Sequence, residues 1–341
     1  MNDRFKKIRA YRCGWLLQLT DWICIMPMLI ANKLRTTTSL EAHGLEHVTP
    51  RFWPSKKPGH LFLTNHRDIV MDAAYLSLIL RTKKNIRPFM GIGNNLFGKW
   101  WIEPFVRLNR CFVVIRDSLG MHEQIRNSQL LSEYIRERIT CGQSVWLAQR
   151  EGRAKDSNDR TQASLIKMLV MSGDKEQDIL ARIRELNITP ICINYEYDPC
   201  DYLKAQEMQL KRDNPAWKKQ KADDILSMKT GIQGHKGRVV YNFTPSLNEW
   251  IDQHEAALRA LPRKELIDAI CHQIDRQIHL NYEDYKRDEA FEEYLWSRLK
   301  LIHVPNKDDA FLLMKMHEMY ANPDRNKFAA QREIVDNSYL G

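Results

Sequence analysis

The segment "NHRDIVMD" (residues 65–72) places His66, Arg67, Asp68 and Asp72 within eight residues. An imidazole held by a carboxylate can take a proton from an alcohol, the general-base half of a catalytic triad. His-Arg-Asp also opens the catalytic loop of protein kinases, where an Asn five residues after the Asp holds magnesium. Here that position is Ala73, no D-F-G follows, no V-A-I-K precedes, and the glycine-rich "GIGNNLFG" (91–98) lies after the motif, not before it. The kinase reading fails.

What is absent narrows the reaction. The sequence has no G-x-S-x-G elbow, and no cysteine has an obvious catalytic setting. A base without a nucleophile suggests that a substrate's own hydroxyl attacks. Two further stretches supply positive charge. "FVRLNRCFVVIRD" brings Arg107, Arg110 and Arg116 around an apolar run, and "WLAQREGRAKD" continues into Arg150, Glu151, Gly152, Arg153 and Lys155. Glycine permits close backbone approach, and arginine grips phosphate bidentately. Each polar cluster stands just past an apolar strand pattern, as expected of active sites at the carboxyl ends of strands in open α/β sheets.

The elements that must position these groups follow from periodicity. "HLFLT" (60–64), "RPFMGI" (87–92), "CFVVI" (111–115), "SVWLAQ" (144–149), "PICINYE" (190–196) and "RVVYNF" (238–243) read as strands. Helical patterns lie between them. In residues 121–139, Met121, Ile125, Leu131, Ile135 and Ile139 share a face, and Gly142 marks a stop. Asp68 is a candidate N-cap for a helix running through "DIVMDAAYLSLIL". Beyond residue 245 strand signals vanish, and Leu266, Ile270, Ile274 and Ile278 recur every four residues; helical pattern continues through 285–302 and 308–320. The fold class is α/β, a mixed central sheet flanked by helices. We divide the chain into a membrane-interface segment (1–40), an α/β domain (41–248) and a C-terminal helical extension or cap (249–341).

Composition is that of a folded protein, with 43% apolar and 28% charged residues and no repeat. The formal charge is +9, and residues 1–35 carry seven basic side chains against Asp3 and Asp21. These flank "GWLLQLTDWICIMPMLIA", which Asp21 and Pro27 break. Basic charge beside apolar aromatic surface suits a helix lying on an anionic membrane better than one crossing it. No zinc-finger spacing or aromatic RNA-binding signature accompanies the charge, so nucleic acid is not an expected partner. Seven cysteines without C-x-x-C indicate neither a disulfide framework nor a metal site, and suit a reducing cytoplasm.

The ordered blocks resemble those of the glycerolipid acyltransferase superfamily, which includes the glycerol-3-phosphate and 1-acylglycerol-3-phosphate acyltransferases. "NHRDIVMD" is similar to its N-H-x-x-x-x-D block, "CFVVIRD" to its strand ending in Arg, "AQREGRA" to its F-P-E-G-x-R, and "TPICINYE" to an apolar strand entered by Pro, here Pro190. Together they span roughly residues 60–196. The resemblance implies His66 as general base and Asp72 as its orienting carboxylate, with Arg116, Glu151, Gly152 and Arg153 lining a pocket for a polar, phosphorylated acceptor head. It further implies an acyl-CoA or acyl carrier protein thioester as co-substrate, no other cofactor, and acylation of a lysophospholipid or glycerol phosphate at the cytoplasmic face of a membrane.

Two departures stand out. Five residues separate His66 from Asp72 where the family has four, and one extra residue turns a helix by about 100°. Either a local bulge absorbs it or Asp68 takes the role; the apolar spacing beyond Asp72 favours Asp72. Gln149-Arg150 replaces Phe-Pro, adding a charge beside the head-group pocket and keeping a lyso-aminolipid acceptor open as an alternative. The altered spacing also keeps open an inactive, lipid-binding protein of the same fold.

Overall fold

The structure, a computed structural model, describes residues 5–10, 25–49, 58–97, 100, 102–115, 120–174 and 176–329. Most of the N-terminal apolar run and Arg116 lie outside the described residues. Seven strands form one mixed sheet: β1 (Thr37–His43), β2 (Leu61–Thr64), β3 (Phe89–Gly93), β4 (Cys111–Val114), β5 (Val145–Ala148), β6 (Ile188–Tyr195) and β7 (Gly237–Phe243). Their order is β1-β7-β6-β2-β5-β3-β4. Strands β2 to β6 run parallel, whereas β7 is antiparallel to β6 and carries β1 beside it. The carboxyl ends of five strands therefore share one edge.

The helices are α1 (Met26–Thr36), α2 (Met71–Lys84), α3 (Ile102–Leu108), α4 (Met121–Thr140), α5 (Ala163–Leu169), α6 (Ile179–Arg184), α7 (Asp201–Asp213), α8 (Lys221–Gln233), α9 (Leu247–Ala260), α10 (Arg263–Leu280), α11 (Glu289–Leu299) and α12 (Asp309–Tyr320). Strand alternation sorts the core into two layers. Leu61 and Leu63 of β2 point to one face, where α4, α5, α9 and α10 bury Ile135, Ile166, Ile251, Ile270 and Ile274. Phe62 points to the other face, against Tyr75, Leu76 and Ile79 of α2. Pro190 is tolerated inside β6 because the ladder with β7 begins one residue later, at Ile191.

The six strands read from the sequence are all present. The seventh, β1, is an edge strand of polar, partly exposed residues, which explains its weak apolar signal. Pro27 falls in the first turn of α1, where its missing N–H costs no helical bond. The C-terminal helices pack in two places: α10 lies on β6 and α5, while α11 and α12 form a separate apolar cluster with α7 around Phe291, Leu295, Leu312 and Met316. No described helix is long and apolar enough to cross a membrane.

Candidate active site

Just past the end of β2, residues 65–70 leave the strand without yet turning into helix. Asn65 staples this corner to β6: its Oδ1 accepts from Ile193 N at 2.7 Å, and its Nδ2 donates to Ile193 O at 3.0 Å. The His66 carbonyl accepts from Ala154 N at 2.8 Å, tying the corner to the loop after β5. His66 Nδ1 lies 2.8 Å from Asp72 Oδ2. With a carboxylate accepting there, the ring proton sits on Nδ1 and the lone pair on Nε2.

Asp72 is fully buried and held on all sides. Its Oδ2 also accepts from the N–H groups of Arg67 (2.7 Å) and Asp68 (3.0 Å), and its Oδ1 accepts from Tyr195 OH at 3.0 Å. Burial pushes the Tyr195 hydroxyl well above its ordinary range, so it stays a neutral donor. These bonds leave the carboxylate one orientation, and through it the imidazole.

Asp68 has a different task. Its Oδ1 accepts from Val70 N and Met71 N, both at 2.8 Å, which builds the turn into α2 in the manner of a helix cap. Burial, and then the neighbouring Asp72, raise its pKa. Gly231 of α8 packs directly on it; a Cβ there would lie 1.9 Å from Asp68 Oδ2. The extra residue between His66 and Asp72 lies in this non-helical corner, so it does not rotate α2.

A cavity of about 970 Å³ opens beside His66. One wall is a stripe of α2, comprising Ala73, Ala74, Ser77 and Arg81, whose small residues leave room. Met90, Ile92, Val113, Trp146 and Met168 add apolar surface. Cys111 also lines it, but burial pushes that thiol up to about 12. It stays protonated near neutrality and is not a nucleophile.

Beside His66, the loop after β5 brings Arg150, Glu151, Gly152, Arg153 and Lys155 to the cavity wall. Gly152 has φ +74°, a conformation that favours glycine, while the Glu151 N–H donates to Gln162 Oε1 at 2.8 Å. Arg153 is largely buried. Burial pulls its pKa down, but Cys200, Asp68 and Asp198 together hold it above the ordinary value. Counted along F-P-E-G-x-R, the motif's arginine falls at Ala154, and Arg153 stands one place earlier. Gln149, at the Phe position, is fully buried, and its backbone N–H and carbonyl bond Thr64 and Gln162. Lys155 is paired with Glu207 and Lys219 with Asp224, so the rim carries both signs. No cluster of metal-binding side chains occurs among the described residues.

The structure thus brings His66, Glu151, Gly152 and Arg153 to one cavity, with Asp72 buried behind His66. Sequence reasoning missed Tyr195, although it is a polar tip at the carboxyl end of a strand, a detectable signal. Trp146 was also missed; its Nε1 donates to Thr64 Oγ1 at 3.1 Å, and its ring lies edge-on to His66 at 6.3 Å.

An oriented imidazole thus stands at the carboxyl ends of the parallel strands of an α/β sheet and opens on a large cavity with apolar walls and a charged rim. Residues 39–192 match a family model described as Acyltransferase. Residues 39–192 are thus an acyltransferase domain of the glycerolipid acyltransferase superfamily, which supports acyl transfer as the general reaction. No curated protein matches the chain.

Proposed function

We propose that the protein moves a fatty acyl group from an acyl-CoA or acyl carrier protein thioester to a hydroxyl of a lysophospholipid or glycerol phosphate. His66 Nε2 takes the hydroxyl proton as the oxygen attacks the thioester carbonyl. Asp72 holds the ring and stabilises the imidazolium that forms. The tetrahedral intermediate collapses, the C–S bond breaks and the thiolate leaves, taking up a proton. No acyl-enzyme forms. Arg150 and Arg153 on the cavity wall supply positive charge for a phosphate. The observation that carries this reading is the 2.8 Å His66–Asp72 bond beside a cavity of about 970 Å³.

The acceptor is drawn from the cytoplasmic face of a membrane. Met28, Ile30 and Leu34 of α1 and Ile225, Leu226 and Ile232 of α8 are exposed apolar side chains, and Asn32 Nδ2 ties the two helices through Ile232 O at 2.7 Å. Lys33 and Arg35 add positive charge to α1, whereas Lys221 and Lys229 of α8 are balanced by Asp223 and Asp224. Met28, Leu29 and Met228 also line the cavity, which gives a lipid chain a route from bilayer to site.

A lyso-aminolipid acceptor is the second reading, favoured by Glu151, Glu207 and Asp224 at the same rim. Initial rates with palmitoyl-CoA and a panel of lysophosphatidate, glycerol 3-phosphate and lyso-aminolipid test the proposal. Turnover on the first two supports it. Turnover on the aminolipid alone selects the second reading, and binding without turnover on any acceptor indicates an inactive lipid-binding protein.

A further inference from the structure

The family match ends at residue 192, yet the catalytic corner is wired to residues far beyond it. Arg67, next to His66, turns its guanidinium inward, where Nη2 donates to Tyr282 OH at 2.7 Å and lies 3.1 Å from Asp159 Oδ2. The Tyr282 hydroxyl donates in turn to Asp159 Oδ2 and accepts from Asn65 Nδ2 at 3.4 Å. Burial pushes Tyr282 well above its ordinary range. All four side chains are buried, so each polar group needs its partner.

The same segment grips the loop that continues from the cavity wall. Asp275 Oδ1 accepts from Thr161 N at 2.7 Å and Thr161 Oγ1 at 2.6 Å. His279 Nε2 bonds Asp159 O at 2.9 Å, and Ser157 Oγ donates to Met319 O at 2.5 Å. Residues 157–161 are thus fixed by α10, the turn after it and the end of α12. The Arg67 backbone closes the circuit: its N–H is one of the donors to Asp72 Oδ2, and its carbonyl accepts from Lys204 Nζ at 3.0 Å.

We infer that the C-terminal extension is part of the catalytic apparatus, with Tyr282 a positioning residue that sets the His66–Asp72 pair through Arg67 and holds the 157–161 loop through Asp159. This rests on the reading of His66 as the general base. Losing the Tyr282 hydroxyl leaves the Arg67 guanidinium held only by Asp159 and a long bond to Ser157 Oγ, so that it can shift within its buried site. The Arg67 N–H then moves off Asp72, and the imidazole loses its fixed angle. Small misplacements of this kind cost up to about a hundredfold in rate.

The test compares full-length parent, Tyr282→Phe, His66→Ala and, as a control for losing a buried hydroxyl elsewhere, Ser132→Ala. Ser132 Oγ bonds Leu169 O and Ser172 Oγ and takes no part in the circuit. With palmitoyl-CoA and lysophosphatidate, Tyr282→Phe is expected to lower kcat by about ten- to a hundredfold with the acceptor KM within about twofold. Ser132→Ala loses thermal stability yet keeps kcat. A readout free of turnover accompanies this: the His66 Nδ1–H nuclear resonance shifts, and the Arg67 and Asp68 amides exchange faster with solvent. An unchanged His66 signal and unchanged amide exchange in Tyr282→Phe would overturn the inference, whatever its effect on melting. Parent-like turnover in His66→Ala would sink the base assignment instead, while the resonance and exchange data still decide the role of Tyr282.

Discussion

Asp72 reaches His66 at 2.8 Å across five intervening residues because α2 begins only at Met71. The corner absorbs the extra residue, and Asp68 spends its carboxylate on the turn. Replacing Asp72 by Asn puts an amide where Arg67 N, Asp68 N and His66 all donate. We expect kcat/KM to fall by about 10²–10⁴, on the scale of general-base catalysis. Asp68→Asn leaves the His66 bond in place and is expected to cost less than about tenfold. Equal losses in initial-rate assays would mean that the two carboxylates share the orienting role.

The α2 stripe makes a second prediction. Ser77 sits one turn beyond Ala73 on the cavity wall, about 6 Å further along the helix. Ser77→Phe fills that depth. In a mixed acyl-CoA competition, the variant should favour shorter chains than the parent; an unaltered product profile would place the acyl chain elsewhere.

Asp275 carries a signature in pH. Burial raises its pKa from the ordinary 3.8 to about 6, against the two bonds from Thr161. The folded-state value lies above the unfolded one, so this contribution to stability is complete below about pH 4 and lost as pH rises through about 6. Asp275→Asn keeps an acceptor oxygen for Thr161 but cannot ionise. Chemical denaturation should show its stability rising relative to the parent by about 2–3 kcal/mol between pH 4 and 7, then levelling off. Parallel stability curves would contradict the buried-acid account.

Membrane capture can be separated from chemistry. Leu34 is 70% exposed and Leu226 46%, on the adjoining helices α1 and α8. The double change Leu34→Asp, Leu226→Asp removes apolar contact and adds negative charge. Co-sedimentation with vesicles containing phosphatidylserine should fall at least about tenfold, with turnover on a short-chain, water-soluble thioester and glycerol 3-phosphate unchanged. Undiminished sedimentation would move the docking face elsewhere.

Much of this was legible in the sequence because the central strands are short apolar runs that end in polar groups. His66, Glu151, Gly152 and Arg153 each follow such a run, so strand ends alone predicted their convergence. Edge strand β1 was hidden by its polar exposed face. The choice between Asp72 and Asp68 was open because helix spacing decides it only once the first helical residue is known. The Tyr282–Asp159–Arg67 circuit was illegible for a different reason: its members lie up to 215 residues apart, and no local period links them. Arg153 reaches the cavity wall as a largely buried side chain beside Asp68 and Cys200, neighbours that no local sequence pattern links to it.

The central claim is that the imidazole of His66 removes the acceptor's proton. Its most direct test is kcat/KM for His66→Ala, measured on folded protein that sediments with vesicles as the parent does. A loss of about 10²–10⁴ is predicted; turnover within a factor of about two of the parent would contradict it.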